Sequence, residues 1–466
     1  MQLKFINPFF MNFLNNNKLL FIVPILLLFF NCNSSKKEQH IKVDATKKKQ
    51  YSDNALLDKV QQQTFNYFWD GAEPTSGLAR ERLHMDNIYP TSPKYTVTTG
   101  GTGFGMMAIL VGVKRGFITK EQAFNRFVKM VDFLEKADRF HGAWPHWLDG
   151  QTGKVIPFSK KDNGGDLVET SFLVQGMLTV AEYFKNGNEA EQKLVLKIDK
   201  LWKEVEWDWY TKGEDVLYWH WSPEFGWDMN FPVGGYNEAL IMYVLAASSP
   251  THPIKPSVYH KGWARDGEII SKEKFYGEDL VLDYYEHDKS PVGPLFWAHY
   301  SYVGLNPNGL SDQYADYWKL VQNQAKIHYK YAVDNPKNFK GYGDSLWGLT
   351  SSYSVNGYKS HRPDNDFGVI APTAALASFP YTPKESMQML KKLYKDHDSL
   401  IGKYGPYDAF SLEYNWYLPR YLAIDQGPIP VMIENYRSGM LWDLFMKNTD
   451  VQSGLDKLGF KYIKTD

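Results

Sequence analysis

Three acidic side chains follow one another at close spacing near the start of a predicted helix. Asp162 lies in a glycine-containing loop, and Asp166 and Glu169 begin the apolar stretch that ends at Phe184. Because residues three and four apart share a helix face, these carboxyl groups are expected to converge. Like charges repel at such distances unless one group is protonated or occupied. The cluster therefore suits general acid–base catalysis, in which one carboxylic acid donates a proton and a carboxylate accepts one.

Helix capping explains the same three residues without any chemistry. An Asp followed three residues later by a Glu has the spacing of a capping box, with Asp166 in the position usually held by Ser or Thr. Negative charge at the start of a helix is also favourable. The local pattern alone favours capping, so the case for catalysis depends on acidic and aromatic residues elsewhere in the chain.

Further carboxyl groups occur among aromatic residues in the stretches between helices. Glu238 follows a tryptophan-rich segment and begins another helix, where it could also be an ordinary first-turn acid. Glycoside hydrolysis needs an acid on one side of the glycosidic bond and a carboxylate on the other. Burial among aromatic rings raises the pKa of such an acid. The expected catalytic residues are Asp162, Asp166, Glu169 and Glu238, and the expected substrate-binding residues are Trp147, Trp221, Trp227, Asp344, Trp347, Asp425, Glu434 and Arg437.

Structural roles compete for several of these substrate-binding candidates. Glu434 could pair with Arg437 three residues further on, and Asp425 could cap the helix that follows Pro428. Individual tryptophans are more often part of a core than a platform for sugars.

Composition excludes some classes of function. The 466-residue chain has 52 Lys and Arg against 53 Asp and Glu and no basic block in its body, so no nucleic-acid partner is expected. Aromatic residues make up 16% of the chain, with 15 Trp, which suits stacking against the flat faces of sugars. The chain lacks an HExxH motif and a cysteine cluster, so neither a bound metal nor another cofactor is expected.

The N-terminal region has the pattern of an export signal. Lys18 precedes the apolar run at 19–30, and the single cysteine, Cys32, follows after Asn31. This arrangement resembles a bacterial lipoprotein signal, which predicts a signal peptide at 1–31, lipidation at Cys32 and a polar tether at 32–50. We therefore expect an exported protein that is anchored in the bacterial cell envelope through its lipid, with a folded domain at 51–466.

From residue 51 onward the apolar periodicity is mainly helical, and short hairpins fit only in the loops. About a dozen helices joined alternately by tight and long loops predict helix hairpins that close into a toroid, with the long loops forming a cleft at one end. A helical solenoid is the alternative, but the chain shows no internal repeat. The glycines of GGTGFG at 100–105 lack a preceding strand, so they are interpreted as a flexible helix entry. Helices are predicted at 53–69, 104–116, 119–139, 166–184, 188–209, 236–249, 311–333, 344–355, 369–379, 383–397, 415–425, 429–447 and 451–458.

Several long strings, among them DNGGDLVETSFLVQGML, GGYNEALIMYVLAASSPTHPI and AIDQGPIPVMIENYRSGMLWDLF, resemble the bacterial glucoamylase-like domain, the core of glycoside hydrolase family 144. The resemblance covers about residues 53–450. It implies an all-α (α/α)6 barrel as a single large domain, and hydrolysis of β-1,2-glucans with inversion. The family's D-x3-D-x2-E acids fall on Asp162, Asp166 and Glu169, and a further functional glutamate falls on Glu238.

These observations give one leading expectation and three alternatives. We expect a monomeric glycosidase that releases sophorose from the end of a β-1,2-glucan chain, with Glu169 or Asp166 as general acid and another of the four acids activating water. The first alternative is cleavage inside the chain, and the second is a hydrolase of another glucan linkage or of a uronate. The third is a non-catalytic, glycan-binding lipoprotein.

Overall fold

The computed structural model describes residues 51–90, 92–284 and 292–464. The described residues belong to one compact unit. The predicted signal peptide, Cys32 and the tether up to residue 50 lie outside the described residues. Among the helices of the described part, none is both long and apolar enough to span a membrane.

The described chain is mostly helical, and its helices pack as an (α/α)6 barrel, which confirms the predicted fold class. The helices are α1 (Asp53–Trp69), α2 (Thr99–Lys114), α3 (Lys120–Leu134), α4 (Leu167–Phe184), α5 (Glu189–Lys203), α6 (Leu240–Ser248), α7 (Tyr317–Asp334), α8 (Pro372–Leu376), α9 (Pro383–Asp396), α10 (Ala423–Gln426), α11 (Pro428–Ser438), α12 (Met440–Met446) and α13 (Thr449–Leu458).

Burial separates the helices into an inner and an outer layer. Helices α2, α4 and α6 are apolar around most of their circumference and almost wholly buried, as expected of the inner layer. Helices α3 and α5 bury one face only, pack against each other, and expose their charged side chains. The inner helices therefore provide the rigid frame to which the site is attached.

Short antiparallel strands lie in the loops between the helices, where the sequence left room for hairpins. They form two- and three-stranded sheets, of which β1–β15, β2–β3–β4 and β5–β6 lie around the site. The strands are β1 (Arg82–His84), β2 (Thr96–Thr98), β3 (Trp147–Asp149), β4 (Val155–Ile156), β5 (Gly165–Asp166), β6 (His220–Trp221), β7 (Lys274–Phe275), β8 (Glu278–Asp279), β9 (Ser351–Ser352), β10 (Lys359–Ser360), β11 (Ile401–Gly402), β12 (Gly405–Pro406), β13 (Phe410–Ser411), β14 (Trp416–Tyr417) and β15 (Arg420–Leu422).

The glycine-rich segment 100–105 was wrongly interpreted as a flexible entry, because it lies inside α2. These glycines allow α2 and α4 to approach closely. A Cβ atom on Gly103 would lie 2.1 Å from the carbonyl oxygen of Phe172, and one on Gly176 would lie 2.2 Å from that of Gly103. The glycines thus serve helix packing.

Other boundaries differ from the predictions for physical reasons. No helix occupies 344–355, because this segment contributes strand β9 to a hairpin with β10. The predicted helix 415–425 contains strands β14 and β15 instead, and only its last three residues are helical. The predicted helix 429–447 is divided at Gly439, whose φ of +73° ends α11 in the left-handed region that glycine favours.

Candidate active site

The loops and strand ends at one end of the barrel enclose a cavity of about 390 Å³. Three carboxyl groups from separate parts of the chain line it: Glu169 in the first turn of α4, Glu238 just before α6, and Glu81, which is paired with Arg82. Aromatic side chains form much of the remaining wall. The lining residues include Glu81, Arg82, Thr98, His146, Trp147, Phe158, Trp219, Phe296, Tyr300 and Tyr358.

Asp166 fixes the start of α4. Its carboxylate is fully buried, and Oδ1 accepts a hydrogen bond of 2.9 Å from the backbone N–H of Glu169. Its other oxygen, Oδ2, accepts one of 2.8 Å from Nδ1 of His146. Capping by Asp166 is therefore confirmed, but Glu169 does not complete a capping box, since its side chain turns to other donors.

The Glu169 carboxylate is bound by groups at the start of α2. Its Oε2 accepts hydrogen bonds from the backbone N–H of Gly100 (2.8 Å) and the hydroxyl of Thr98 (3.4 Å). Burial raises the pKa of Glu169 and nearby Asp166 raises it further, whereas His146 and these two donors act to lower it. Glu169 is thus a catalytic candidate whose charged form has specific partners.

Asp162 lies beside this pair without facing the open cavity. Its Oδ1 is 3.2 Å from Nε2 of His220, which lies on β6 next to the strand that ends at Asp166. Burial and the neighbouring carboxylates of Asp166 and Glu169 raise the pKa of Asp162 to about 7, against an opposing effect of His146. Asp162 can therefore hold a proton near neutral pH.

Glu238 reaches the cavity from the other side. Its pKa is raised to about 7, first by burial and then by the charges of Glu169 and Asp166, while its own backbone N–H acts to lower it. Its carboxyl group therefore feels the acids of α4, although more than sixty positions separate them in sequence. The structure thus brings together all four residues that the sequence predicted as catalytic.

His146 is a central residue that the sequence analysis did not predict. It lies between two tryptophans in the loop before β3, and its ring stacks on Phe158 with centroids 4.1 Å apart. Burial would lower the pKa of His146, but the carboxylates of Glu169, Asp166 and Asp162 outweigh burial and raise it to about 10. The only signal in the sequence was a titratable residue within the aromatic motif WPHWLDG.

His146, Asp162 and Asp166 could in principle hold a metal ion, since each has a ligand atom within 4.8 Å of the others. The arrangement does not fit one, however. Nδ1 of His146 donates a hydrogen bond to Oδ2 of Asp166, so two of the three candidate ligands are already engaged with each other.

Among the predicted substrate-binding residues, Trp147 lines the cavity, and Asp425 lies behind its wall. Oδ1 of Asp425 is 3.4 Å from the hydroxyl of the lining residue Tyr300. Trp219, which was not predicted, also lines the cavity, and its buried indole N–H has no partner among the described residues.

The remaining predicted residues lie elsewhere. Trp221 and Trp227 pack around Trp209, with ring centroids 5.3 and 4.8 Å from its ring. Trp347 is wholly buried in the core, where its N–H approaches the carbonyl oxygen of Glu385, and Asp344 is exposed on a turn. These four side chains are not among those that line the cavity.

Glu434 and Arg437 have structural partners instead of facing the cavity. Glu434 is fully buried and accepts two hydrogen bonds, of 2.6 and 2.7 Å, from the guanidinium of Arg115. Arg437 donates to Asp58 and Gln61 on α1. The expected pairing of Glu434 with Arg437 is replaced by these long-range contacts, which tie α11 to α1 and α2.

An (α/α)6 barrel with grouped carboxyl groups in an aromatic cavity defines a glycosidase-type scaffold. Residues 230–449 match the family model named Glycoamylase, a model of glucoamylase-like domains. The chain belongs to the bacterial glucoamylase-like family, glycoside hydrolase family 144.

Three relatives illustrate this membership. A curated exo β-1,2-glucooligosaccharide sophorohydrolase (non-reducing end) of Parabacteroides distasonis is 46% identical over 430 residues, which cover 87% of this chain and 58% of the relative. An endo-β-1,2-glucanase of Chitinophaga pinensis, solved with sophorotriose and glucose, is 59% identical with a TM-score of 0.87, covering 88% of this chain and 99% of that one. A β-1,2-glucanase structure from Parabacteroides distasonis is 44% identical with a TM-score of 0.82, covering 88% of this chain and 60% of that one.

This chain therefore spans little more than half the length of the curated relative, but the full length of the Chitinophaga pinensis structure.

Proposed function

We propose that this protein hydrolyses β-1,2-linked glucans. The observation that carries the proposal is that Glu169 and Glu238, from separate parts of the chain, line one cavity of about 390 Å³. A pair of carboxyl groups across a sugar-sized cavity is what glycoside hydrolysis requires. The β-1,2 linkage is supported by the relatives, whose names specify β-1,2-glucans or β-1,2-glucooligosaccharides.

The environments of the two glutamates support separate roles. Glu238, with its pKa raised to about 7, keeps a proton at mildly acidic pH and acts as the general acid that protonates the leaving oxygen. Glu169, whose carboxylate accepts two hydrogen bonds and faces His146, acts as the base that takes a proton from water. In this inverting scheme water adds to the anomeric carbon as the glycosidic C–O bond breaks.

This assignment differs from the expectation that Glu169 or Asp166 is the general acid. Asp166 is fully buried, and its two oxygens already accept hydrogen bonds from Glu169 and His146. It is therefore suited to positioning these groups and not to reaching a glycosidic oxygen. Asp162, with its pKa raised to about 7, supplies a further proton-holding group behind them.

Two cleavage patterns are candidates. Release of sophorose from the chain end, the pattern predicted from the sequence, is supported by the name of the curated exo-acting relative. Cleavage inside the chain is favoured by the higher identity to the endo-acting relative, whose entire length this chain matches. The sizes of early products distinguish them, because chain-end action yields only the disaccharide, whereas internal cleavage yields a ladder of longer oligosaccharides.

The test is incubation with linear β-1,2-glucan, followed by chromatography of the products and resolution of their anomers. Replacing Glu238 by Gln, or Glu169 by Gln, should lower kcat by about 10²- to 10⁴-fold, as for loss of a general acid or base. The exposed residue Glu189, replaced by Gln, serves as a matched control with unchanged activity. Binding of the glucan without any products from the unmodified protein would overturn the proposal in favour of a glycan-binding lipoprotein.

We further propose that the protein is exported and held in the cell envelope through a lipid on Cys32. This location is supported by the apolar run at 19–30, by the cysteine two positions beyond its end, and by the polar segment up to residue 50. A polymeric glucan substrate is compatible with an enzyme that acts outside the cytoplasm.

A further inference from the structure

The loop before β3 places a histidine between the two acids at the start of α4. Nδ1 of His146 donates a 2.8 Å hydrogen bond to Oδ2 of Asp166, and Nε2 lies 4.0 Å from Oε1 of Glu169. The second distance is too long for a hydrogen bond but close enough for a strong interaction between charges. His146 is therefore held by one carboxylate and directed toward the other.

Two features of the surroundings favour a proton on both ring nitrogens. Asp166 is fully buried, so its carboxylate is most stable beside a cation. Phe158 stacks on the imidazole at 4.1 Å, and a cation is attracted to the face of an aromatic ring. The titratable or charged groups near the ring or in the same cavity wall are Asp162, Asp166, Glu169, His220, Glu81, Arg82, Glu238, Tyr300 and Tyr358.

The groups close to the His146 ring carry a net negative charge. Arg82, the other cation of the cavity wall, is paired with Glu81, and the pKa of His220 is lowered first by its burial. His146 is thus a cation that acts on all three of Asp162, Asp166 and Glu169.

We propose that His146 is a positioning residue for the hydrolysis proposed above, held as an imidazolium that keeps Glu169 ionised and so makes Glu169 the base. The inference rests on that proposed function for its catalytic meaning. Water gives its proton to Glu169 as its oxygen bonds to the anomeric carbon, and the leaving oxygen takes the proton of Glu238. His146 keeps both of its ring protons throughout.

The position of His146 also explains how Glu169 and Glu238 can differ in protonation state although both are buried in one cavity. Glu169 has the His146 cation and two hydrogen-bond donors from the start of α2, whereas the described stabilisation of the Glu238 carboxylate comes from its own backbone N–H. When two acids share a site, the one nearer to a cation loses its proton first. His146 thereby sets the direction of proton flow.

The decisive variant is His146→Asn, because the amide nitrogen of Asn can take the place of Nδ1 and still donate to Asp166 without carrying a charge. The acidic limb of the kcat–pH profile, which reports ionisation of Glu169, should move up by about 1–3 pH units, the range expected for loss of an adjacent opposite charge. The alkaline limb, set by Glu238, should stay in place. His252→Asn, at a partly exposed histidine paired with Asp208, is the matched control and should move neither limb.

A uniform loss of kcat at every pH, with both limbs unmoved, would overturn the inference and leave His146 with a purely structural role. A second measurement does not depend on activity or on the variant being active. In protein labelled with ¹⁵N-histidine, the His146 ring, identified by its absence from the spectrum of His146→Asn or His146→Gln, should show two protonated nitrogens at pH 8.

A neutral His146 ring at pH 8 would likewise refute the inference. Failure of this inference can be distinguished from failure of the proposed function. If the unmodified protein does not hydrolyse β-1,2-glucan, the proposed function fails, while a protonated ring would still establish the imidazolium between Asp166 and Glu169.

Discussion

Replacing Glu238 by Gln is predicted to make the folded protein more stable at neutral pH, although it removes the proposed general acid. Gln has nearly the same shape as a protonated Glu but cannot ionise. Burial and the charges of Glu169 and Asp166 raise the pKa of Glu238 from 4.5 to about 7. Ionisation of Glu238 therefore costs more free energy in the folded state than in the unfolded chain.

The sign and size follow from proton linkage. Below pH 4 both states carry the proton, so Glu238 has no effect on the free energy of unfolding. Between pH 4.5 and 7 the unfolded state has released the proton while the folded state retains it, so stability falls as pH rises. At about 1.4 kcal/mol for each pH unit, the accumulated loss approaches about 3 kcal/mol above pH 7.

The assay is urea denaturation of both proteins at pH 4, 5.5 and 8. The variant should match the unmodified protein at pH 4 and exceed it increasingly toward pH 8. Glu189→Gln, at an exposed position on α5, should show no such growing difference. A stability difference that is the same at pH 4 and at pH 8 would refute the reasoning, since the effect would then arise from packing and not from ionisation.

Two further predictions concern other parts of the chain. Gly176→Ala should destabilise the protein by about 1–3 kcal/mol or more, because the new Cβ would lie 2.2 Å from the carbonyl oxygen of Gly103. Gly343→Ala is the control, because open space surrounds Gly343, and it should change the urea denaturation midpoint little. Equal midpoints for the two variants would contradict the packing argument. Cys32→Ser should move the protein from the membrane fraction to the soluble fraction and remove acylation from the N-terminus measured by mass spectrometry, and an unaltered membrane fraction would contradict the lipid anchor.

The helical barrel was predictable because its inner helices carry long apolar segments with few competing signals. The start of α4 was also predictable, since the spacing of Asp166 and Glu169 marks a helix start whether or not the residues are catalytic. Strand β9 was not, because a two-residue strand in a hairpin leaves almost no periodicity in the sequence. The glycines of α2 were misinterpreted for a related reason, since only the position of α4 shows why they must lack a side chain.

Of the candidate site, the close spacing in the sequence predicted only the cluster of Asp162, Asp166 and Glu169. The roles of the other predicted residues depend on contacts between residues that are distant in sequence, and a single sequence gives no indication of such contacts. Arg115 neutralises Glu434 across 319 positions, which turns a predicted substrate-binding residue into part of the core. Trp347 has the same residue type as Trp147, but the fold buries the first completely and places the second on the cavity wall.

Capping and catalysis were opposed explanations of the same acids, yet in the proposed mechanism the catalytic arrangement depends on the cap. The N–H of Glu169 donates to Asp166, so the cap fixes the first turn of α4 and with it the direction of the Glu169 side chain. The second oxygen of Asp166 is then left to hold His146, which faces Glu169. A site built on the end of a buried helix gains the rigidity of that helix. In the proposed mechanism, the buried carboxylate of Asp166 therefore positions His146 and Glu169 through the same contacts that fix the start of α4.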